Sequence, residues 1–369
     1  MSYKIPRADL KKNYIKYKKS IDTAYFRVMN SGTYTLGKEV ENFELEFSQY
    51  LKVKNFIALA NGTDSISIFL RLLGIKPNDK IITTPFTCTP TIEAIINIGA
   101  IPIFVDVSPD TYLLDIKNVL NRIDKKIKAI VPVHIFGNMF DVKLLKSNIS
   151  NTIPILEDAA QSHGSLLNGK NAGYYSDGAS YSFYPSKNLG CFGDGGGIAT
   201  NNNNLNKNLK ILRNHGMINK DKTIYKGFNC RLDEIQAAFL RENLKVLDKC
   251  NNIRNKIANF YNNNLPNEYF KIQQINKNVY SNFHIYSVQY DGNRTNLIKY
   301  LSDQGIQTNV YYSIPQNKQP YLEKYNNKKM KYAEILSKKI ISLPMNPYLN
   351  IKDLEFIINS IKKFIKYKS

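Results

Sequence analysis

Apolar residues recur along this chain in two alternating rhythms. Val40, Phe43, Phe47 and Leu51 stand three or four residues apart, the spacing of one helical face, after the turn Thr35-Leu36-Gly37. Residues 55–59 then form a short, largely apolar run, Asn61-Gly62-Thr63-Asp64 breaks it, and residues 65–73 resume at helical period. The alternation continues with strands expected at 80–83, 101–107, 127–133 and 153–156, separated by helices at 91–98, 116–122 and 142–149. Apolar strands alternating with helices predict an α/β fold, a mostly parallel central sheet with helices on both faces. Ligands in such sheets bind beyond the carboxyl ends of the strands. Phe86, residues 158–161 and the turn after residue 59 all fall there.

A β-favouring run at 179–184 stops at Pro185 and gives way to Gly190, Gly193, Gly195, Gly196 and Gly197, too many glycines for a regular element. This places Lys187 on a short, defined loop that other groups can approach closely. A further strand is expected at 196–200 and a helix at 205–213. The segment 227–234 then leads into a long helix through roughly Val246. The sheet domain is expected to end there, giving a large domain at 1–248 and a smaller C-terminal α/β domain at 249–369, which opens with a helix at 249–263. Leu354, Ile358, Ile361 and Ile365 share one helical face near the end, opposite Lys362, Lys363 and Lys366; this is the pattern of a packed terminal helix or of a membrane-surface helix.

Composition narrows the possible partners. The formal net charge of +21 raises nucleic acid, because a basic surface attracts phosphate. The basic residues are mostly Lys, scattered among Asn and Ile without an Arg-aromatic cluster or binding motif, so no nucleic acid is expected. The four cysteines form no CxxC pair and the four histidines have no metal-ligand spacing, so neither disulfides nor a metal site is expected. No window approaches the roughly 18 uninterrupted apolar residues of a membrane span, and the first residues lack a secretory apolar core. A cytoplasmic protein with no membrane role is the expectation.

Several strand-end features bear on chemistry. Thr63 and its neighbours sit at a helix start suited to a phosphate, though an N-cap explains the same residues. Glu157 and Asp158 follow an apolar strand, and alternation sends them to opposite sides, so that one faces the site. A loop lysine, a strand-end carboxylate, an aromatic at Phe86, a phosphate-suited turn and Ser182 near the lysine are the set that pyridoxal phosphate requires.

The blocks TYTLGKEVENFE, NGTDS, GAIPIFVDV, EDAAQSHG, SFYPSKNLGCFGDGGG and GFNCRLDEIQAAFL occur in that order between about Thr35 and Met345. In them the chain resembles the DegT family of nucleotide-sugar aminotransferases, fold-type I enzymes dependent on pyridoxal 5′-phosphate. The resemblance implies Lys187 as the Schiff-base lysine and Asp158 as partner of the pyridine nitrogen. It implies Phe86 stacked on the ring, Gln161 at the ring hydroxyl, and Gly62, Thr63 and Ser182 on the phosphate. Asn229 would reach the phosphate of a neighbouring subunit, so a homodimer with shared sites is implied. Tyr184, Tyr311 and Tyr312 are expected on the substrate side, and His163 either there or as a hydrogen-bonded core histidine.

The resemblance also implies a reaction: glutamate gives its amine, and a nucleotide-linked keto sugar receives it. The YPSKNLGCFGDGG form and RLDEIQAAFLRENL look like members that aminate carbon 3 of a dTDP-3-keto-6-deoxyhexose, for lipopolysaccharide, O-antigen or other glycan sugars. Carbon-4 transfer and a UDP-linked keto-uronic acid are the alternatives. A non-catalytic regulatory protein on the same fold is the alternative of another class. The chain departs from the family at Tyr311-Tyr312-Ser313, Asn317-Lys318-Gln319 and Tyr348, all in the sugar-facing region.

Overall fold

The computed structural model describes residues 3–325 and 329–366. Its centre is a twisted sheet in two hydrogen-bonded halves. Ile101–Phe104, Lys80–Thr83 and Ile127–Val131 pair in parallel, in that order across the sheet. Parallel bridges Ile130 to Ile155 and Val133 to Asp158 join them to Leu156–Asp158, followed by Gly178–Ser182, Gly196–Thr200 and Asn55–Leu59. Only Gly196–Thr200 runs against its neighbours, because the lysine loop returns the chain directly from Gly178–Ser182 instead of crossing over through a helix. The fold-type I expectation of a mostly parallel sheet holds.

Both faces are covered, as the unbroken burial of residues 56–59 requires. Phe56 and Ala58 pack with Phe43, Phe47, Tyr181 and Phe183 beneath the helix Lys38–Leu51. Ile57 and Leu59 pack on the opposite face with Ile66, Phe69 and Leu70 of the helix Gly62–Leu72. Beyond the helix Leu247–Asn264 lies a second, antiparallel sheet of Ile340–Leu343, Tyr286–Tyr290 and Phe270–Ile272.

Several expectations need correction. The strand expected at 153–156 lies at Leu156–Asp158, which makes Glu157 and Asp158 strand residues with opposed side chains. The strand expected at 101–107 ends at Phe104. The two successive helices expected on either side of Val246 are present, at Glu234–Leu244 and Leu247–Asn264, with non-helical backbone at Val246 between them. The terminal helix Ile351–Lys366 buries Leu354, Ile357, Ile358, Ile361 and Phe364 against the second sheet, so its apolar face is core and not a membrane surface. No helix among the described residues is long and apolar enough to cross a membrane.

The first helix, Leu10–Ser31, was not foreseen. It buries only Ile21, Ala24 and Val28, a stripe too thin to stand out in a Lys-rich segment, and packs them on Ala238 and Phe239. The chain ahead of it is tied to the second sheet region by a bridge from Ile5 to Ile306, which carries Arg7 inward.

Candidate active site

Glycine geometry brings the lysine loop to the helix start. A Cβ on Gly196 would lie 2.3 Å from the carbonyl carbon of Asn61 and 2.5 Å from the amide nitrogen of Gly62. A Cβ on Gly62 would meet that of Ser182 at 3.0 Å. Only bare backbone allows this approach. The loop closes with the Phe183 N–H donating to the Gly195 carbonyl at 2.7 Å and the Lys187 N–H to the Tyr184 carbonyl at 2.8 Å.

The result is a cavity of about 360 Å³ at the strand ends, whose walls include Gly62, Thr63, Cys88, Asp158, Ser182 and Lys187. Asn61 caps the helix behind it, its side-chain oxygen accepting from the Asp64 N–H at 2.8 Å. The first helical N–H groups, those of Gly62 and Thr63, have no intrahelical acceptor and form an anion-binding end.

Asp158 is 5% exposed and held at both oxygens. One accepts from the Thr91 hydroxyl at 2.7 Å and the other from the Ala160 N–H at 3.1 Å. Glu157, on the opposite side of the strand, accepts from the Gly173 N–H and the Ser176 hydroxyl and meets His134 Nε2 at 2.7 Å. Strand alternation left open which carboxylate faces the site, and the family resemblance implied Asp158. It is Asp158.

Desolvation holds the Lys187 amine below the usual lysine range, opposed by the charges of Asp158 and Cys88 and reinforced by Arg7. Gln161 accepts from the Phe136 N–H at 2.8 Å and donates to the Tyr312 hydroxyl at 3.1 Å, which fixes its amide at the cavity wall. Tyr184 lines the mouth and is 55% exposed. Tyr311 lies under the Arg7 guanidinium, 5.3 Å from carbon to ring centre.

Other expected residues fall elsewhere. Phe86 is wholly buried behind the cavity wall, edge-on to Tyr112, Phe136 and Tyr312, and the residues of this loop that line the cavity are Thr87 and Cys88. Because the segment after Thr83 is irregular, strand alternation gave no guide to direction there. His163 does not line the cavity. It is fully enclosed against Tyr181 and Phe183, with neither ring nitrogen in hydrogen-bonding geometry to a partner among the described residues. Burial pushes it down to about 3, with Lys187 adding to the effect. Asn229 is exposed and away from its own chain's cavity, on a segment bridged to Asn214. Of the departures, Tyr348 donates to Asn13 at 2.6 Å, and Asn317 is buried with its amide unpartnered among the described residues. Sequence reasoning missed Cys88, Thr91 and Arg7, which no motif marks.

A desolvated lysine amine, a clamped carboxylate and an anion-binding helix end around one cavity fit the aldehyde, ring nitrogen and phosphate of pyridoxal phosphate. The fold and site together define a fold-type I transferase of the pyridoxal phosphate-dependent class. Residues 16–362 match the DegT/DnrJ/EryC1/StrS aminotransferase family, and the chain belongs to it. It is 36% identical to a Geobacillus stearothermophilus protein named "Pleiotropic regulatory protein", covering 98% of this chain and 99% of that one. It is 34% identical to the dTDP-3-amino-3,6-dideoxy-alpha-D-galactopyranose transaminase of Aneurinibacillus thermoaerophilus, over 98% and 99% of the two chains. Among solved structures, DesV of S. venezuelae, in complex with a ketimine intermediate, superposes with a TM-score of 0.95 at 33% identity, covering 99% of each chain. The chain is a nucleotide-sugar aminotransferase dependent on pyridoxal phosphate.

Proposed function

We propose that this enzyme moves an amino group from glutamate to carbon 3 of a dTDP-3-keto-6-deoxyhexose, for lipopolysaccharide, O-antigen or a related glycan. The observation that carries the chemistry is the Lys187 amine, kept below its ordinary range in a cavity shared with Asp158. The 3-amino sugar in the name of the Aneurinibacillus relative supports the carbon and the nucleotide.

When bound, pyridoxal phosphate supplies an aldehyde and an electron-withdrawing ring, which let an amino group pass between an amine and a ketone. The residues of the chain divide the remaining work. Gly62, Thr63 and Ser182 would hold the phosphate by backbone N–H and hydroxyl donors. Asp158, steadied by Thr91, would hold the ring nitrogen in its cationic form, and Gln161, fixed by Tyr312, would meet the ring hydroxyl. Cys88, which lines the cavity where Phe86 does not, would take the place of Phe86 against the ring. Lys187 Nζ takes the proton from the donor carbon and returns one to the acceptor carbon; a single amine serves both halves because both carbons occupy one place in turn. Tyr184 and Tyr311–Tyr312 border the sugar.

In this reading the protein acts in the cytoplasm as a homodimer, with exposed Asn229 completing the partner's phosphate site, and its chain divides into domains 1–248 and 249–369. Amination of a panel of dTDP-, UDP- and GDP-linked keto sugars with glutamate, followed by NMR of the products, tests the substrate. A 3-amino dTDP sugar is expected. Reaction of 4-keto sugars alone, or of UDP-keto-uronic acids alone, replaces this reading with one of its alternatives. The regulatory role named for the Geobacillus relative is tested by colour: a protein that stays colourless after incubation with pyridoxal phosphate is not an aminotransferase of this kind.

A further inference from the structure

Lys187 belongs to the walls of two cavities. On the side away from the Thr63 helix lies a smaller one, of about 60 Å³, lined also by Asn188, Arg254, Asn346 and Tyr348. That is room for several water-sized groups and too little for a nucleotide.

Arg254 is 7% exposed, and no carboxylate pairs with it among the described residues. One guanidinium nitrogen, Nη1, donates to the carbonyls of Met345, His284 and Phe283 at 2.9, 3.4 and 3.5 Å, while Nε is buried without an acceptor. Desolvation holds the group down to about 10. A buried, unneutralised guanidinium is costly unless an anion completes it. The acidic residue of the cavity wall, Asp9, is already engaged: its carboxylate accepts from the Lys12 N–H and lies 3.5 Å from the Lys12 ammonium. Arg7, two residues before Asp9, adds a second cation that has no carboxylate partner among the described residues and lies within electrostatic reach of Lys187, Arg254 and His284. The cavity therefore combines small size, positive charge and a shared wall with the reactive amine.

We infer that this cavity is the receptor for the carboxylate of the amino donor, an α-amino acid, and of the 2-keto acid it becomes, with Arg254 as its charge partner and Arg7 as a supporting cation. The inference rests on the reading of the chain's reaction given above, with an amino acid as donor. It separates the two substrates: the amino acid enters against Arg254, and the nucleotide sugar uses the larger cavity behind Tyr184.

The test compares the two half-reactions of the holoenzyme separately, by stopped-flow absorbance. Arg254→Gln should raise the half-saturating concentration of L-glutamate about tenfold or more, the usual effect of losing a charge-assisted hydrogen bond. It should weaken inhibition by glutarate in parallel and leave the half-reaction with the nucleotide keto sugar and the affinity for dTDP unchanged. Arg254→Lys should restore part of the loss. Equal loss in both half-reactions marks Arg254 as purely structural and overturns the inference. Should Arg254→Gln fail to fold, Arg254→Lys, which keeps the charge but not the planar donor fork, decides: a several-fold rise confined to the amino-acid half supports the subsite, and no change or equal loss in both halves overturns it. If the wild-type protein ignores L-glutamate but reacts with L-glutamine or L-alanine, the donor assignment fails, and the same comparison with that amino acid still tests the cavity.

Discussion

The hydroxyl of Thr91 donates to Asp158 Oδ2 at 2.7 Å, and Thr91 is itself 3.0 Å from the Thr87 hydroxyl. The pair joins two segments far apart in sequence, and it leaves the carboxylate little freedom to turn. Thr91→Val removes the bond while keeping the shape. It should slow both half-reactions about tenfold, for a bond to a charged group worth ~1.5 kcal/mol, with little change in substrate affinity. Single-turnover rates measured against substrate concentration check the split, and a change in affinity alone would contradict it. Asp158→Asn should cost more than Thr91→Val.

Lys187→Ala should abolish turnover and leave the fold intact, as circular dichroism and the melting temperature would show. Because burial lowers the folded-state pKa of the Lys187 amine, the neutral amine forms at lower pH than in a free lysine. The rate of covalent trapping at Lys187 should rise with pH along a limb centred below the ordinary lysine value of about 10.4. A limb at or above that value would refute the desolvated site.

His163 sets an acid limit on stability. Its folded-state pKa, about 3, lies below the unfolded value of about 6.5, so the unfolded chain binds more protons between them. Stability contributed by keeping this histidine neutral is present above about pH 6.5 and is lost as pH falls toward 3. His284, also lowered by burial, acts in the same direction. His163→Leu should flatten the pH dependence of the unfolding free energy in this window by up to ~1.4 kcal/mol per pH unit, measured by denaturant titration. An unchanged slope would show that the histidine is accessible to protons in the folded state.

Gly196→Ala places a methyl group against the Asn61 peptide, where backbone leaves no room. Destabilisation by roughly 1–3 kcal/mol is expected. Because the clash lies at the helix start, weaker retention of pyridoxal phosphate should accompany it in dialysis.

Glu234 accepts from the Gly37, Glu39 and Val40 N–H groups at 2.7, 2.8 and 3.0 Å, capping the helix Lys38–Leu51 from far along the chain. Glu234→Ala should lower stability by ~1–3 kcal/mol by leaving buried donors unpaired. A loss below ~0.5 kcal/mol in a denaturant titration would mean that water replaces the carboxylate.

The sequence by itself determined the order of strands and helices, since burial on one face or both imprints a period on local residues. Its local pattern also marked Lys187, Thr63, Ser182 and the Glu157–Asp158 strand end, whose neighbouring glycines and strand ends are visible within a few positions, and the family resemblance added Gly62, Gln161 and the choice of Asp158. Tertiary structure decided what depends on direction or on distant partners. Backbone outside regular elements carries no alternation, and so Phe86 turned inward while Cys88 faced the cavity. His163 was sealed in by Tyr181 and Phe183, contributed by a neighbouring strand and its extension. The thin stripe of Leu10–Ser31 became a helix only against Ala238 and Phe239. Arg254, one basic residue among many in the sequence, acquired its character from burial without a carboxylate, a property set by the packing of segments far apart in the chain.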